Sequence, residues 1–151
     1  MKNNYHRNIG SVSSATMRLE DLIPAFLDTL ESQKPLRRNH RKLISQVKQN
    51  IDQNENYYDS DDASFALDEL FDALGSYALP YFYFGAHPGD GSDYGFWLAE
   101  NLEEDFEGLQ VNDLADVPKD YSGEVLVTTD HGNVSLYSYR RGRAREVWAI
   151  V

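Results

Sequence analysis

The hydrophobic period of the chain changes at Pro80, and that change constrains the fold more than any other feature. Upstream, between Arg18 and about Ser32, Leu19, Leu22, Ile23, Phe26, Leu27 and Leu30 recur at three- and four-residue steps. That spacing lays one apolar stripe along a helix. Pro24 falls within its first turns, where proline is tolerated. Pro35 is expected to open a second helix on which Leu36, Leu43, Val47 and Ile51 share a face, with Arg37, Arg38, Arg41, Lys42 and Lys48 around the rest. The two helices should form a hairpin. A polar linker, Asn54 to Asp62, then offers Asp61 or Asp62 as an N-cap. The third helix takes Phe65, Leu67, Leu70, Phe71 and Leu74 as a broad apolar face and ends at Gly75.

Downstream the pattern is that of strands. Tyr81 to Phe84 is an aromatic run, and Gly85 to Gly95 carries four glycines and reads as a long loop. Phe96-Trp97 belongs to a second strand, Ala99 to Phe106 to a short acidic helix, and Asp113 to Gly123 to a polar connection. Glu124 to Thr129, Val134 to Tyr139 and Glu146 to Val151 alternate as a three-stranded meander. Its turns are Asp130-His131-Gly132-Asn133 and Arg140-Arg141-Gly142-Arg143. The expected architecture is α+β: an N-terminal helical hairpin plus a third helix packed on a four- to five-stranded, mainly antiparallel sheet. Residues 1–17 are polar and expected as an unstructured lead, with Met17 a plausible alternative start. Residues 18–151 are expected as a single domain with a helical half, 18–75, and a β-rich half, 80–151.

At 151 residues and 41% apolar content, the chain can build one sizeable core but hardly two full domains. With no cysteine, disulfides, Cys-ligated metals and thiol nucleophiles are excluded. No run approaches the roughly 18 apolar residues of a membrane span, and the first residues lack a signal-peptide core, so a cytoplasmic protein is expected. The net charge of −11 is segregated. Residues 1–57 hold nine Lys/Arg and six Asp/Glu, residues 58–130 one and eighteen, residues 131–151 four and one. Such an acidic middle repels phosphates and disfavours direct nucleic-acid binding there; it favours a basic protein partner.

Candidate chemistry concentrates in the glycine-rich segment. His87, Asp90 and Asp93 offer a nitrogen and carboxylates within seven residues. With Asp130 and His131 they would make a mixed set suited to a divalent metal such as zinc or manganese. The same residue types also serve turn formation, which is the stronger reading of both segments. His131 could act as a base oriented by Asp130, although a hairpin tip accounts for that pair more directly. His6 and His40 are expected in solvent. Ser92 and Ser135 lack an activating neighbour, and no hydrolase elbow, paired-His helix or phosphate loop is present. No catalytic set is therefore assigned, and no cofactor beyond the alternative divalent metal. Arg140, Arg141, Arg143 and Arg145 suit a solubilised edge hairpin. Tyr77, Tyr81, Phe82, Tyr83, Phe84, Tyr94, Phe96 and Trp97 should divide between core and surface by strand alternation.

The run YFYFGAHPGDGSDYGFW followed by VLVTTDHGNVSLY, within residues 79–139, resembles a group of small proteins from bacteriophages and other mobile elements to which no activity is assigned. The resemblance implies a mobile-element setting and carries no catalytic residues. Accessory proteins of that kind act on host machinery, and a strip of carboxylates can imitate a nucleic-acid backbone. The leading expectation is thus a protein that binds and inhibits or modulates a host nucleic-acid-processing or defence enzyme. Asp59, Asp61, Asp62, Glu100, Glu103, Glu104, Asp105 and Glu107 would be the contacts. A metal-dependent enzyme or sensor using the His/Asp set is the alternative, and a structural or regulatory homo-oligomer a further one.

Overall fold

A computed structural model describes residues 8–150; residues 1–7, with His6 and the start of the expected lead, and Val151 lie outside the described residues. The fold is α+β. In chain order it runs β1 (Gly10–Ser13), α1 (Leu19–Glu31), α2 (Arg38–Gln53), a 3-10 turn (Tyr57–Asp59), α3 (Asp61–Gly75), β2 (Phe82–His87) and β3 (Asp90–Leu98). It continues with α4 (Leu102–Asp105), β4 (Leu109–Val111), a second 3-10 turn (Leu114–Asp116), β5 (Gly123–Thr128), β6 (Val134–Arg140) and β7 (Arg143–Ile150). Where one sheet of four or five strands was expected, the strands form two: a three-stranded antiparallel sheet ordered β1-β3-β2 and a four-stranded sheet ordered β4-β5-β6-β7. Among the described residues only β4 and β5 run parallel. The chain also divides into two compact units, ending at Glu100 and beginning at Asn101, so the first hairpin belongs with the helices.

In the first unit, α1 buries Leu22, Ile23, Phe26, Leu27 and Leu30, the stripe its spacing predicts. Phe26 meets Phe71 of α3 and Phe84 of β2 edge-on, each at 5.0 Å between ring centres. Phe84 in turn stacks at 4.9 Å against Phe96, its register partner on β3. Edge-to-face pairs of this kind add about 0.5–1.5 kcal/mol each to the burial of the rings. α3 turns Ala63, Ala66, Leu70, Ala73 and Leu74 inward, and its three alanines let the neighbouring helix approach closely. Its N-cap is Ser60, whose Oγ accepts from Ala63 N at 3.3 Å, one residue earlier than the expected aspartates. Asp61 and Asp62 instead occupy the first turn, where they favour the helix dipole. At the other end Ser76 closes the helix through its N–H and hydroxyl, both bonded to Ala73 O.

Two parts of the first unit differ from the sequence reading. The segment 85–95 is not a loop: it is the body of the β2–β3 hairpin, turned at Pro88-Gly89 between the paired residues His87 and Asp90. The lead is not unstructured throughout, because Gly10–Ser13 pairs with β3 as a third strand. Gly95 makes that pairing possible. A Cβ on Gly95 would lie 2.2 Å from Gly10 O and 2.8 Å from Ser11 Cα, so only a residue without one admits β1 at this distance.

In the second unit the meander forms as expected. Leu126, Leu136 and Trp148, each fully buried, stand opposite one another across β5, β6 and β7. Leu102, Phe106, Val125 and Val127 are also buried. The tight turn at Arg141-Gly142 has positive φ at both residues (53° and 76°), the type I′ geometry that matches strand twist.

Candidate functional site

The outward surface of α3 is as regular as its buried one. Asp61, Asp62, Phe65, Asp68, Glu69 and Asp72 are all exposed and follow one another at helical spacing, opposite the inward alanines and leucines. Asp59 adds a further exposed carboxylate in the preceding 3-10 turn. Among the described residues the ion pairs are Arg18 with Glu20 and Lys48 with Glu31, and none of them involves this strip. Phe65 was expected in the core; it is 63% exposed and stands amid the carboxylates. The reason is positional: α3 already meets its neighbours through the face of Ala63, Ala66, Leu70 and Leu74, and Phe65 is rotated off it.

Beside Phe65 a groove of about 490 Å³ runs between α2 and α3. Leu43, Val47 and Ala66 supply its apolar lining, Gln46 and Asn50 its amides, Asp62 and Glu69 its carboxylates, and Phe65 an aromatic wall. Tyr57 completes it from the 3-10 turn. That residue is 2% exposed, and its hydroxyl is buried without a hydrogen-bond partner among the described residues. Leaving a buried hydroxyl unpaired costs about 1–3 kcal/mol, so such groups are uncommon in folded proteins. Burial, followed by the charges of Asp62, Tyr58 and Glu69, pushes the phenol above its ordinary pKa and keeps it protonated.

The other expected contacts lie on other elements. Glu100 is exposed at the end of the first unit. In the second unit, Glu103, Glu104 and Asp105 are exposed on the single turn of α4 and Glu107 follows it. The acidic set is therefore divided between the two units.

The expected metal set is divided likewise: His87, Asp90 and Asp93 on the β2–β3 hairpin, Asp130 and His131 at the β5–β6 turn. Each hairpin residue has a local structural partner. His87 Nδ1 accepts from Gly89 N at 2.9 Å, and its ring meets the Trp97 ring edge-on at 4.7 Å. Asp90 Oδ1 accepts from both the N–H and the hydroxyl of Ser92, which holds its carboxyl below the usual range. Asp93 Oδ1 accepts from Ser11 Oγ, tying β1 to β3. At the other turn Gly132 N donates to Thr129 O at 3.0 Å, with Gly132 at φ 82°, the arrangement of a hairpin tip. Among the described residues no group of three His, Asp or Glu is gathered as a metal would need.

His40 was expected in solvent and is buried. Tyr77 Oη accepts from Arg37 N at 2.9 Å and lies 2.7 Å from His40 Nδ1. Burial followed by the Arg37 charge lowers the pKa of the imidazole. The aromatic residues divide by alternation: Phe82, Phe84, Tyr94 and Phe96 pack on the core, while Trp97 Nε1 bonds Gly85 O and the Tyr83 hydroxyl bonds Ala86 O. No helix among the described residues is long and apolar enough to cross a membrane.

The α3 face was half legible. Its acids are spaced to reveal a stripe at offsets of 3, 4 and 7, but Phe65 breaks the polar pattern and Tyr57 has no sequence signal at all. Compared with known protein families, curated proteins and solved structures, the chain matches none.

Proposed function

We propose that the protein is a binding protein that presents unpaired carboxylates to a basic surface of a nucleic-acid-processing or defence enzyme and keeps nucleic acid from that surface. The observation that carries this reading is the α3 strip, where five carboxylates and Phe65 stand exposed on one rigid helix face. Fixed charges on a helix meet a cationic groove without the ordering cost of a flexible tail, and opposite potentials steer the encounter. Phe65 adds what charge alone lacks, an aromatic anchor at the centre of a polar ring, as interface hot spots have.

The test is capture on immobilised protein from nuclease-treated host lysate at low and moderate salt, followed by competition. A captured nucleic-acid enzyme should be displaced by added DNA, and it should fail to bind a variant carrying Asp61→Lys, Asp68→Lys and Asp72→Lys. Capture that survives both the DNA and the charge reversals would overturn the proposal.

A further inference from the structure

We propose that the β6–β7 hairpin is a nucleic-acid contact, in which Arg140, Arg143 and Arg145 hold successive phosphates of one phosphodiester backbone. The site is independent of the carboxylate strip of α3. All five Lys and Arg residues of the second unit, Lys119, Arg140, Arg141, Arg143 and Arg145, belong to this hairpin or to the segment against its turn, and all five are exposed. Arg140 is the register partner of Arg143, and Ser138 that of Arg145. Cross-strand partners share a face and alternate residues of a strand return to it, so three arginines and Ser138 lie on one side of the ribbon. With Tyr139 and Ala144 the hairpin arginines line a recess of about 1190 Å³. Neither ion pair among the described residues involves them. From Ser138 to Arg145 the chain holds no carboxylate, and Glu124, opposite Ser138 on β5, marks the base of this face.

The turn is a second observation. Two-residue turns of this type favour Asn, Asp or Gly at their first position, because that residue takes positive φ. Arg141 stands there instead, at φ 53°. A left-handed arginine is less stable than a left-handed asparagine, so fold stability is not what this side chain contributes. It contributes a fourth guanidinium at the tip. Gly142 brings a further cation alongside, since a Cβ there would lie 2.6 Å from Lys119 O. A guanidinium forks onto two oxygens of one phosphate, and alternate strand residues repeat at about 6.8 Å, so the hairpin presents cations in a row. Every nucleotide carries a charge to meet such a row, whereas the carboxylates of a protein do so only if they alternate along an extended strand. Charges farther off than about 8 Å are largely screened at physiological ionic strength, so distant carboxylates of a chain of net charge −11 do not cancel the local field. Contacts to phosphate carry no sequence information.

Fluorescence anisotropy of the whole chain with two labelled single-stranded oligonucleotides of unlike sequence, each of about twelve nucleotides, tests the site. Both should bind alike, with affinity falling about twenty- to fiftyfold between about 50 and 200 mM salt, the slope of three or four phosphate contacts. Combining Arg140→Gln, Arg143→Gln and Arg145→Gln should bring binding below detection. Arg141→Asn should flatten the salt slope by one contact while raising the urea midpoint, a pairing that a merely structural turn residue would not give. All four side chains are exposed, so the variants should melt in urea as cooperatively as the parent, which separates lost binding from lost fold. No binding by the parent at low salt, or unchanged binding in the triple variant, would overturn the proposal. Displacement of the oligonucleotide by polyglutamate at equal concentration of charge would overturn it in favour of an acidic protein partner.

Discussion

The two units satisfy their polar groups to different degrees. In the second, the meander pairs its strands over six or more residues with tight turns, and the row of Leu126, Leu136 and Trp148 fills its buried positions with side chains that are apolar but for the indole N–H. In the first, an equally dry aromatic cluster around Phe26 stands with a buried histidine, a buried glutamine and the unpaired hydroxyl of Tyr57. Departures from full satisfaction concentrate where a protein does something besides fold. On that criterion the proposed binding face is placed in the first unit, on the side formed by α2 and α3.

The hardest test of the contrast strikes both cores. Phe26→Ala removes the ring that joins α1 to α3 and β2, and Trp148→Ala removes the largest fully buried side chain of the meander. Each should cost about 3–5 kcal/mol in urea unfolding. Hydrogen exchange should localise the first loss to α1, α3 and the β2–β3 hairpin and the second to β5–β7. If Phe26→Ala loosened β5–β7 as much as its own surroundings, the two regions would share one core and the contrast would collapse.

A smaller effect is expected at one glycine in each unit. A Cβ at Gly95 would overlap the β1 backbone, and one at Gly108 would lie 2.6 Å from Glu124 O and 2.8 Å from the Phe106 ring. Overpacking of this kind costs about 1–3 kcal/mol. The consequences should differ: Gly95→Ala releases β1, seen as rapid proteolysis near residues 10–13, whereas Gly108→Ala shifts the start of β4 and leaves the turns of the meander intact. Equal proteolysis of β1 in the Gly95→Ala variant and the parent would show that β1 is held by something other than this close approach.

These same positions show what a sequence discloses. Periodicity disclosed α1 and the meander, because each is decided by local alternation against a core; of the inward face of α3 it disclosed Leu70 and Leu74 but not Ala63, Ala66 and Ala73. It did not disclose β1, since Gly10 to Ser13 has no apolar alternation and the strand exists through a close approach allowed by a glycine eighty residues away. Gly85–Gly95 was mistaken for a loop for a related reason: glycines are avoided in strands unless another backbone must come near, and here Gly85 faces Gly95. Of the candidate site, exposed acids were legible as charge. The Tyr57 hydroxyl and the burial of His40 were not, because both depend on which residues α2 and α3 bring together.

His40 gives the contrast a pH dependence. Its pKa in the folded chain lies below the 6.5 of a free imidazole, through burial and then Arg37. Tyr77 and Arg37 meet it on one side, and Glu69 and Asp72 line the recess it shares with α3. Between the folded and unfolded pKa values the unfolded chain binds more protons, so stability is fully present above pH 6.5 and falls as pH drops through the folded value. Unfolding free energies at pH 7.5 and 5.5 should show this loss in the parent and a smaller one in His40→Gln. Identical pH slopes would mean that the imidazole is not the titrating group.

The smallest effect is the most discriminating. Tyr57→Phe keeps the buried ring and its contact with Tyr58 at 5.6 Å, and deletes one oxygen that no group among the described residues satisfies. If that oxygen serves only folding, its removal should be neutral or harmful. Because it is unpaired, removal should instead stabilise the chain by about 1 kcal/mol, raising the urea midpoint without changing the slope. A higher midpoint shows that the hydroxyl is not a structural group, since a structural hydroxyl would lose stability on removal. A lower midpoint would assign Tyr57 to the core of the first unit and erase the difference between the two.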